Sequence, residues 1–533
     1  MAVQAGVRQV DGAGRVSPRL DRAALDRLAA RLTRGPGERE PIAIVAPATG
    51  AVIGEVPHAT EDDLELAVAR ARFTQQHWAA RPVRERAAVL LRFHDLVLDR
   101  RAEGMDLIQL EGGKARRDAL EEIHETANAA RYYGRASPRH LRPRFRRGAL
   151  PVLTDAREYH RPVGVVGVIA PWNFPLILGI TDALPALAAG CGVVTKLDSR
   201  TPYSALWAAK LLETAGLPPG LLTLVTGNGE RLGAPLIDRV DYVMFTGSTR
   251  VGREVAARSA ERLIGCSLEL GGKNAMLVLA DADVERAAEG ARKGSFSHAG
   301  QMCVGMERIY VHEDVYEPFA RRLVALAEGM RLGAGFTYGY EMGSLLSQRQ
   351  LDTVEAHVAD AVAKGARVLA GGRPRPDVGP FYYEPTVLAD VTPEMTLFAE
   401  ETFGPVVSLY RVRSDEEAVA LANASRYGLN FSVWTGDPGR GRELARRLEA
   451  GTVNVNEAYG AAWCSTGAPM GGFKDSGLGR RHGGHGIEKY TEPQTVAVQR
   501  VLTTWGPGGL SPERWDTLLT AGMRVLRRVP GLR

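Results

Sequence analysis

Cys303, in the run SHAGQMCVGMER, lies 34 residues after Glu269 of LELGGKN, and both follow APWNFP at 170–175, which holds Asn173. Together they offer a thiol, a carboxylate and an amide, which is to say a nucleophile, a base and a hydrogen-bond donor. Residue type alone does not assign those roles. A lone cysteine is usually a small buried hydrophobe. Asn173, between Trp172 and Phe174, reads first as a turn residue, and Glu269 as an exposed carboxylate at a strand end.

Such groups need elements to converge them. RPVGVVGVIAP reads as a buried strand, TDALPALAAG as a helix, GVVTKL as a strand, PYSALWAAKLLETAG as a helix and LLTLVTG as a strand. DYVMFTGS repeats the strand and turn, with a helix from Thr249 to Arg262. This alternation predicts a doubly wound parallel sheet of dinucleotide-binding type. From Asp281 the pattern restarts, with RIYVHED, RVLAGG, PTVLADV, PVVSLYRV and LNFSVWTGD as strands of a second α/β domain that meets the first at Cys303. GIEKYTEPQTVAVQRV, 486–501, reads as a long strand outside that core, open to pairing with another subunit. Towards the N-terminus, residues 1–16 read as a mobile tail and Ser17-Pro18 as the cap of a helix carrying Leu25, Leu28 and Leu32. The ordered body of the chain is expected to begin near Arg39. Thr60 followed by three acids opens another helix, and Arg84 to Gly104 reads as one more.

A chain of 533 residues with 45% apolar and 24% charged residues has the makings of two or three globular domains. Net charge is +5, and RPRFRRG at 142–148 is the main basic run, so nucleic-acid binding is not expected. Cys191, Cys266, Cys303 and Cys464 show no CxxC spacing, which argues against a disulfide scaffold or a metal site and for a reducing cytoplasm. Prolines and Asp182 interrupt the most apolar stretch, 163–194, so neither a secretory leader nor a spanning helix is expected.

APWNFP, FTGST, LELGGK, GQMC, EETFGPV and PMGGFKDSG occur in this order over roughly residues 40–500, and in this the chain resembles the aldehyde dehydrogenase superfamily. The resemblance implies an α/β fold with a Rossmann-type cofactor domain, an α/β catalytic domain and a β oligomerisation arm. It divides the chain into a tail and helix at 1–38, a cofactor domain at 39–142 and 163–280, a catalytic domain at 281–484, an arm at 143–162 and 485–504, and an extension at 505–533. It implies that Cys303 attacks an aldehyde, that Asn173 and the Cys303 N–H hold the oxyanion, and that Glu269 activates water against the thioester. Glu269 also separates this chain from relatives that pass the acyl group to coenzyme A. The pyrophosphate would meet Gly247 and Ser248 where FTGSTRVG opens a helix, although the string is not GxGxxG. Glu401 would hold the nicotinamide ribose, with Phe403, Trp172 and Leu270 as walls.

Two departures refine these expectations. In TKLDSRTP, Lys196 matches the family's adenosine-ribose lysine, but Ser199 stands where strict NAD users carry glutamate. Loss of that like charge, with Arg250 nearby, predicts that NADP is accepted and preferred over NAD. Asp198 is the opposing charge. Within the superfamily the chain is most like the actinobacterial succinate-semialdehyde dehydrogenase group. The arginines that clamp the distal carboxylate in better-known enzymes of that activity are Thr181 and Ser297 here. Ser465, Thr466 or a more distant arginine would then take over the clamp; alternatively, Trp172, Trp463 and Leu178 line a tunnel for an aromatic or longer aliphatic aldehyde. Medium-chain or aromatic aldehydes are the rival substrates, and a catalytically silent binding relative is the rival outside enzymes. A homodimer or homotetramer is expected. From Trp505 the chain forms an amphipathic helix with Arg524, Arg527 and Arg528 near its end, for which docking on a subunit is favoured over peripheral contact with an anionic membrane.

Overall fold

The computed structural model describes residues 15–148, 154–499 and 505–528. Most of the expected tail, the last residues of the long strand and Val529 lie outside them.

Five parallel strands form the first sheet, in spatial order Gly265–Glu269, Tyr242–Thr246, Val165–Ile169, Gly192–Leu197 and Leu222–Thr226, with the short antiparallel Gly477–Leu478 beyond Gly265–Glu269. Val165–Ile169, Gly192–Leu197 and Leu222–Thr226 are buried along their whole lengths. Such uninterrupted apolar strands belong to a parallel sheet covered on both faces. The chain starts at Val165–Ile169, runs outward through two strands and returns to the other side at Tyr242–Thr246. The order therefore reverses between Val165–Ile169 and Tyr242–Thr246. At such a switch point the loops after the two strands diverge and leave a crevice at their carboxyl ends. APWNFP and GSTRVG are those two loops.

A second sheet runs Arg367–Ala370, Thr386–Ala389, Val406–Val412, Met306–His312, Asn274–Val278, Asn430–Trp434 and Thr452–Val455, all parallel except the first. Asn274–Val278 belongs to this sheet, so the chain leaves the first sheet at Leu270–Lys273, ahead of a boundary drawn at 280. A third, antiparallel sheet joins Arg144–Arg147, Thr154–Pro162 and Thr491–Gln499, the last two through nine residue pairs. Thr491–Gln499 is its outer strand, and Val496 and Val498 are 44% and 50% exposed.

Three local expectations need correction. The first helix is Arg22–Ala29, capped by Asp21, while Ser17 Oγ donates to Asp106 and accepts from the Arg19 and Leu20 N–H groups. Ser17 thus ties an irregular turn to the body. Leu20, Leu25, Leu28 and Leu32 are buried in the same core as Tyr203 and Trp207, so ordered packing starts well before Arg39. The helix expected over 84–104 is two, Val83–Asp99 and Arg101–Gly112, with Arg100 leaving helical geometry between them. Thr60 and Asp63 form the expected capping box. Ser511 caps a helix over Pro512–Leu526, on which Leu518, Met523 and Val525 are more than half exposed.

Candidate active site

Cys303 sits on the loop between the helix Val284–Phe296 and the strand Met306–His312, and many hydrogen bonds fix that loop. His298 and Ala299 adopt left-handed φ of 50° and 53°, strain that only surrounding contacts can maintain. Asp118 accepts from the His298 N–H (3.0 Å), and Gln301 Oε1 accepts from Leu346 N (2.9 Å) while its Nε2 donates to the His298 and Ser344 carbonyls. Asn274 Nδ2 donates to the carbonyls of both Cys303 and Gly305 at 2.8 Å. On the opposite wall, Asn173 is buried and donates one Nδ2 hydrogen to Gln301 O at 3.0 Å. A side-chain amide has two such hydrogens, so one remains for a ligand beside the thiol.

The APWNFP loop is held in turn by a buried ion pair. Lys114 Nζ lies 2.6 Å from Glu122 Oε1 and 3.7 Å from the centroid of the Phe174 ring. Glu122 Oε2 accepts from the N–H groups of Leu176 and Ile177. There the helix opens with a π turn, Ile177–Thr181, a local widening common at functional sites.

Glu269 ends the strand beside the crevice, buried, with Oε1 lacking any hydrogen-bond partner among the described residues. Burial pushes its carboxyl up to about 7, against the pull of Arg481 and Lys489. Arg481 was not foreseen from the sequence. It is itself buried and locked by two bonds to Asp182 (2.9 and 2.8 Å) and one to Thr246 Oγ1. The Cys303 thiol is pushed up to about 12, first by burial and next by Glu401, with Glu269 adding and Arg481 opposing. Thiol, base and guanidinium therefore share one electrostatic neighbourhood.

Glu401 folds over the Gly271–Gly272 turn, accepting from Gly272 N at 3.0 Å, and burial raises its carboxyl to about 8. A Cβ on Gly271 would lie 2.5 Å from Glu401 Oε2, so a side chain there would push that carboxylate aside. The segment is aimed by the buried Lys273–Glu307 pair, whose carboxylate accepts from the N–H groups of Thr402 and Phe403. Phe403, at φ 54°, meets Trp172 edge to face with centroids 5.5 Å apart.

At the far end of the crevice, a cavity of about 280 Å³ is lined by Lys196, Asp198, Ser199, Arg200, Gly227 and Gly229, among others. Lys196 is 6% exposed and its ammonium has neither a hydrogen bond nor an ion pair among the described residues; burial lowers its pKa, against the pull of Asp198. An ammonium hidden without a carboxylate is costly unless a ligand completes it. Ser199 Oγ accepts from Gly227 N at 2.8 Å, leaving its own hydrogen to donate. Asp198 is engaged by Arg200 through two bonds of 2.9 and 2.7 Å, and so turns its charge to a neighbour. Arg200 was not foreseen; its guanidinium also lies 5.4 Å from the Trp172 ring. Arg250 must be withdrawn from the cofactor argument: it pairs with Glu254 on its own helix and does not line this cavity. Ser248 caps the helix Thr249–Glu261 (Val251 N to Oγ, 3.5 Å), Gly247 N donates to Glu269 O, and Leu270 packs against Gly252. These elements, with an unpartnered Lys196 and a carboxylate over a glycine turn, fit an extended dinucleotide.

On the aldehyde side, Phe174, Ile177, Leu178, Met302, Val304 and Tyr459 form a buried apolar cluster bordered by Cys303 and Trp463. Trp463 and Phe174 lie with ring centroids 6.0 Å apart. Thr181 Oγ1 donates to Ile177 O, and Ser297 is buried, so neither position supplies positive charge. Ser465 is exposed and donates to Ala461 O; it lies with Thr466 on the rim of an adjoining groove, outside the apolar cluster.

The profile of the aldehyde dehydrogenase family matches residues 34–496, and the chain belongs to that family. It is 49% identical over 483 residues to the Mycobacterium ulcerans protein named "Putative succinate-semialdehyde dehydrogenase (NADP(+)) 2", covering 91% of this chain and 93% of that one. Among solved structures, the succinate-semialdehyde dehydrogenase from Burkholderia pseudomallei is 36% identical with a TM-score of 0.82, over 86% of this chain and 95% of that one. The NAD+ complex of an aldehyde dehydrogenase from Bacillus cereus is 38% identical with a TM-score of 0.82, over 86% and 93%.

Proposed function

We propose that this enzyme oxidises succinate semialdehyde to succinate with NADP, NAD being the poorer cofactor. The observation that carries the reaction type is the buried Glu269, its Oε1 without a partner, in the same neighbourhood as the Cys303 thiol. The Cys303 thiol gives up its proton through water to solvent. The Cys303 sulfur then adds to the aldehyde carbon, while Asn173 Nδ2 and the Cys303 N–H hold the oxyanion. The bound dinucleotide supplies the acceptor for the hydride that leaves this carbon. What remains on Cys303 is a thioester. Glu269, ionised, takes a proton from water, the hydroxyl adds to the acyl carbon, and the thiolate departs with release of the acid.

For the cofactor, Lys196, Ser199 and Arg200 present positive charge and a donor to the adenosine end, which suits a 2'-phosphate. Gly247 and Ser248 would face the pyrophosphate, Glu401 the nicotinamide ribose, and Trp172, Phe403 and Leu270 the ring environment. Trp463 and Leu178 would line the aldehyde channel, with Ser465 at its outer rim. The semialdehyde assignment is supported by the names of the relatives; an all-apolar cluster at the thiol favours the rival, neutral aldehydes. The exposed outer strand Thr491–Gln499 supports assembly into a dimer or tetramer through the arm. Among the described residues no helix is long and apolar enough to cross a membrane, and a cytoplasmic enzyme is our reading.

Initial rates with succinate semialdehyde, butanal and benzaldehyde, each with NADP and NAD, test all of this. The expected result is the highest kcat/KM with succinate semialdehyde and NADP. Rates confined to neutral aldehydes would overturn the substrate, and an NAD preference would overturn the cofactor.

A further inference from the structure

The positions that would clamp a distal carboxylate are neutral here, yet the other side of the Trp463 loop is strongly basic. A groove of about 520 Å³ runs between the helix Arg116–His140 and residues 464–467. Arg131, Arg135 and Arg139 follow one another at four-residue spacing along the helix face that lines it. None of the three forms an ion pair among the described residues. Arg131 donates to the neutral Asn128 Oδ1 at 2.7 Å, and the guanidiniums of Arg135 and Arg139 have no hydrogen bond among the described residues.

Three neighbouring guanidiniums repel one another, whereas other arginines of this chain are matched by carboxylates: Arg146 takes Glu158, Arg258 takes Asp238 and Arg411 takes Glu317. The facing loop is fixed rather than loose. Asn128 Nδ2 donates to Cys464 O (2.9 Å) and to Thr466 Oγ1 (2.6 Å), which leaves the Thr466 hydrogen to donate. The same loop carries Trp463, which borders the apolar cluster around Cys303. Groove and apolar cluster thus adjoin at the step from Trp463 to Cys464.

We propose that this groove is a capture site for small carboxylates, where Arg131, Arg135 and Arg139 gather the anionic substrate beside the entrance to the Cys303 pocket. The inference rests on the semialdehyde reading above. It locates the recognition charge outside the apolar pocket and makes it act mainly on encounter. A cleft lined with one sign of charge raises the local concentration of a counter-ion by about tenfold or more, an effect that salt removes.

The test compares the full-length wild type with the triple variants R131Q/R135Q/R139Q and R131K/R135K/R139K, using succinate semialdehyde and its uncharged four-carbon counterpart, butanal. In the wild type, kcat/KM for the semialdehyde should fall as salt rises, and that for butanal should not. The glutamine variant should lose roughly tenfold in kcat/KM for the semialdehyde at low salt, through KM, with its salt dependence flattened and butanal unchanged. The lysine variant should keep the salt dependence. Equal losses with both aldehydes, or a change of oligomeric state, would assign the arginines to structure or subunit contact and overturn the proposal. A glutamine variant that keeps its preference and its salt dependence would overturn it too, while leaving the semialdehyde reading intact. A wild type that does not prefer the semialdehyde to butanal would remove both.

Discussion

Two sets of buried charge surround the crevice, and they differ in one respect. Lys114–Glu122, Lys273–Glu307 and Arg481–Asp182 are complete pairs, and the first two carboxylates also receive the backbone N–H groups of Leu176 and Ile177, or of Thr402 and Phe403. They aim the segments carrying Asn173 and Glu401. Lys196 and Glu269, by contrast, are buried, and among the described residues the Lys196 ammonium has no ion pair and Glu269 Oε1 no hydrogen bond. An interior charge that is fully paired is scaffold, whereas one left incomplete is a place for something that arrives. The two sets should therefore fail differently when disturbed.

The largest kinetic effect is expected at the thiol. Cys303→Ala should lower kcat by about 10³-fold or more, and Glu269→Gln by about 10²- to 10³-fold. The two losses should look different. Without the base, the first turnover proceeds and the thioester accumulates, seen as a burst of reduced cofactor and an acylated mass. Neither change should lower the melting temperature, because neither side chain completes a pair. A burst-free Glu269→Gln enzyme would show that the carboxylate acts before the thioester.

Lys114→Met should do the reverse. It strands the Glu122 carboxylate in the core, at a cost of about 3–5 kcal/mol to stability. Thermal unfolding measures this directly. A variant that unfolds like the wild type but turns over slowly would move Lys114 into the functional set.

How far the sequence disclosed this division depends on the kind of signal each residue gives. The apolar strands and the capping box of Thr60 declare themselves through period and propensity, and the nucleophile, base and amide lie in short motifs. Arg481 and Arg200 gave no such sign. An arginine in GLGRRHGG or KLDSR becomes informative only when Asp182, 299 residues away in the first case, or a cavity in the second is seen beside it. Arg250 misled for the same reason, since linear closeness to FTGST says nothing of Glu254 one turn on. Ser17 did so too, because capping residues serve irregular turns equally well.

Next in size is the cofactor end. Ser199→Glu places a like charge opposite a 2'-phosphate, a juxtaposition that costs several kcal/mol, so NADP should weaken about 10²-fold while NAD holds or improves. Lys196→Gln should weaken NADP more than NAD, read by direct dinucleotide binding as well as by KM. Equal loss of both cofactors from Ser199→Glu would mean that the bond from Gly227 N, and not charge, is what Ser199 contributes.

The smallest effect is the most discriminating, because Arg481 belongs to both sets: it completes Asp182 and it acts on Glu269. Burial holds the Glu269 carboxyl at about 7, and the ionised form is the active base, so the hydrolytic step should rise with pH through that region. For folding the sign is opposite. A carboxyl whose pKa is raised in the folded state contributes stability below its ordinary range and loses it as pH climbs through about 7, so activity and this contribution to stability move in contrary directions. Arg481→Gln removes the cation and leaves Asp182 negative, and both changes favour the protonated base. The acid limb of kcat should therefore shift upward by about one pH unit, equal to about 1.4 kcal/mol, whereas Arg481→Lys should hold it in place. A limb that stays put in the glutamine variant, at a temperature where the fold is intact, would confine Arg481 to the scaffold and leave Lys489 as the cation that tunes the base.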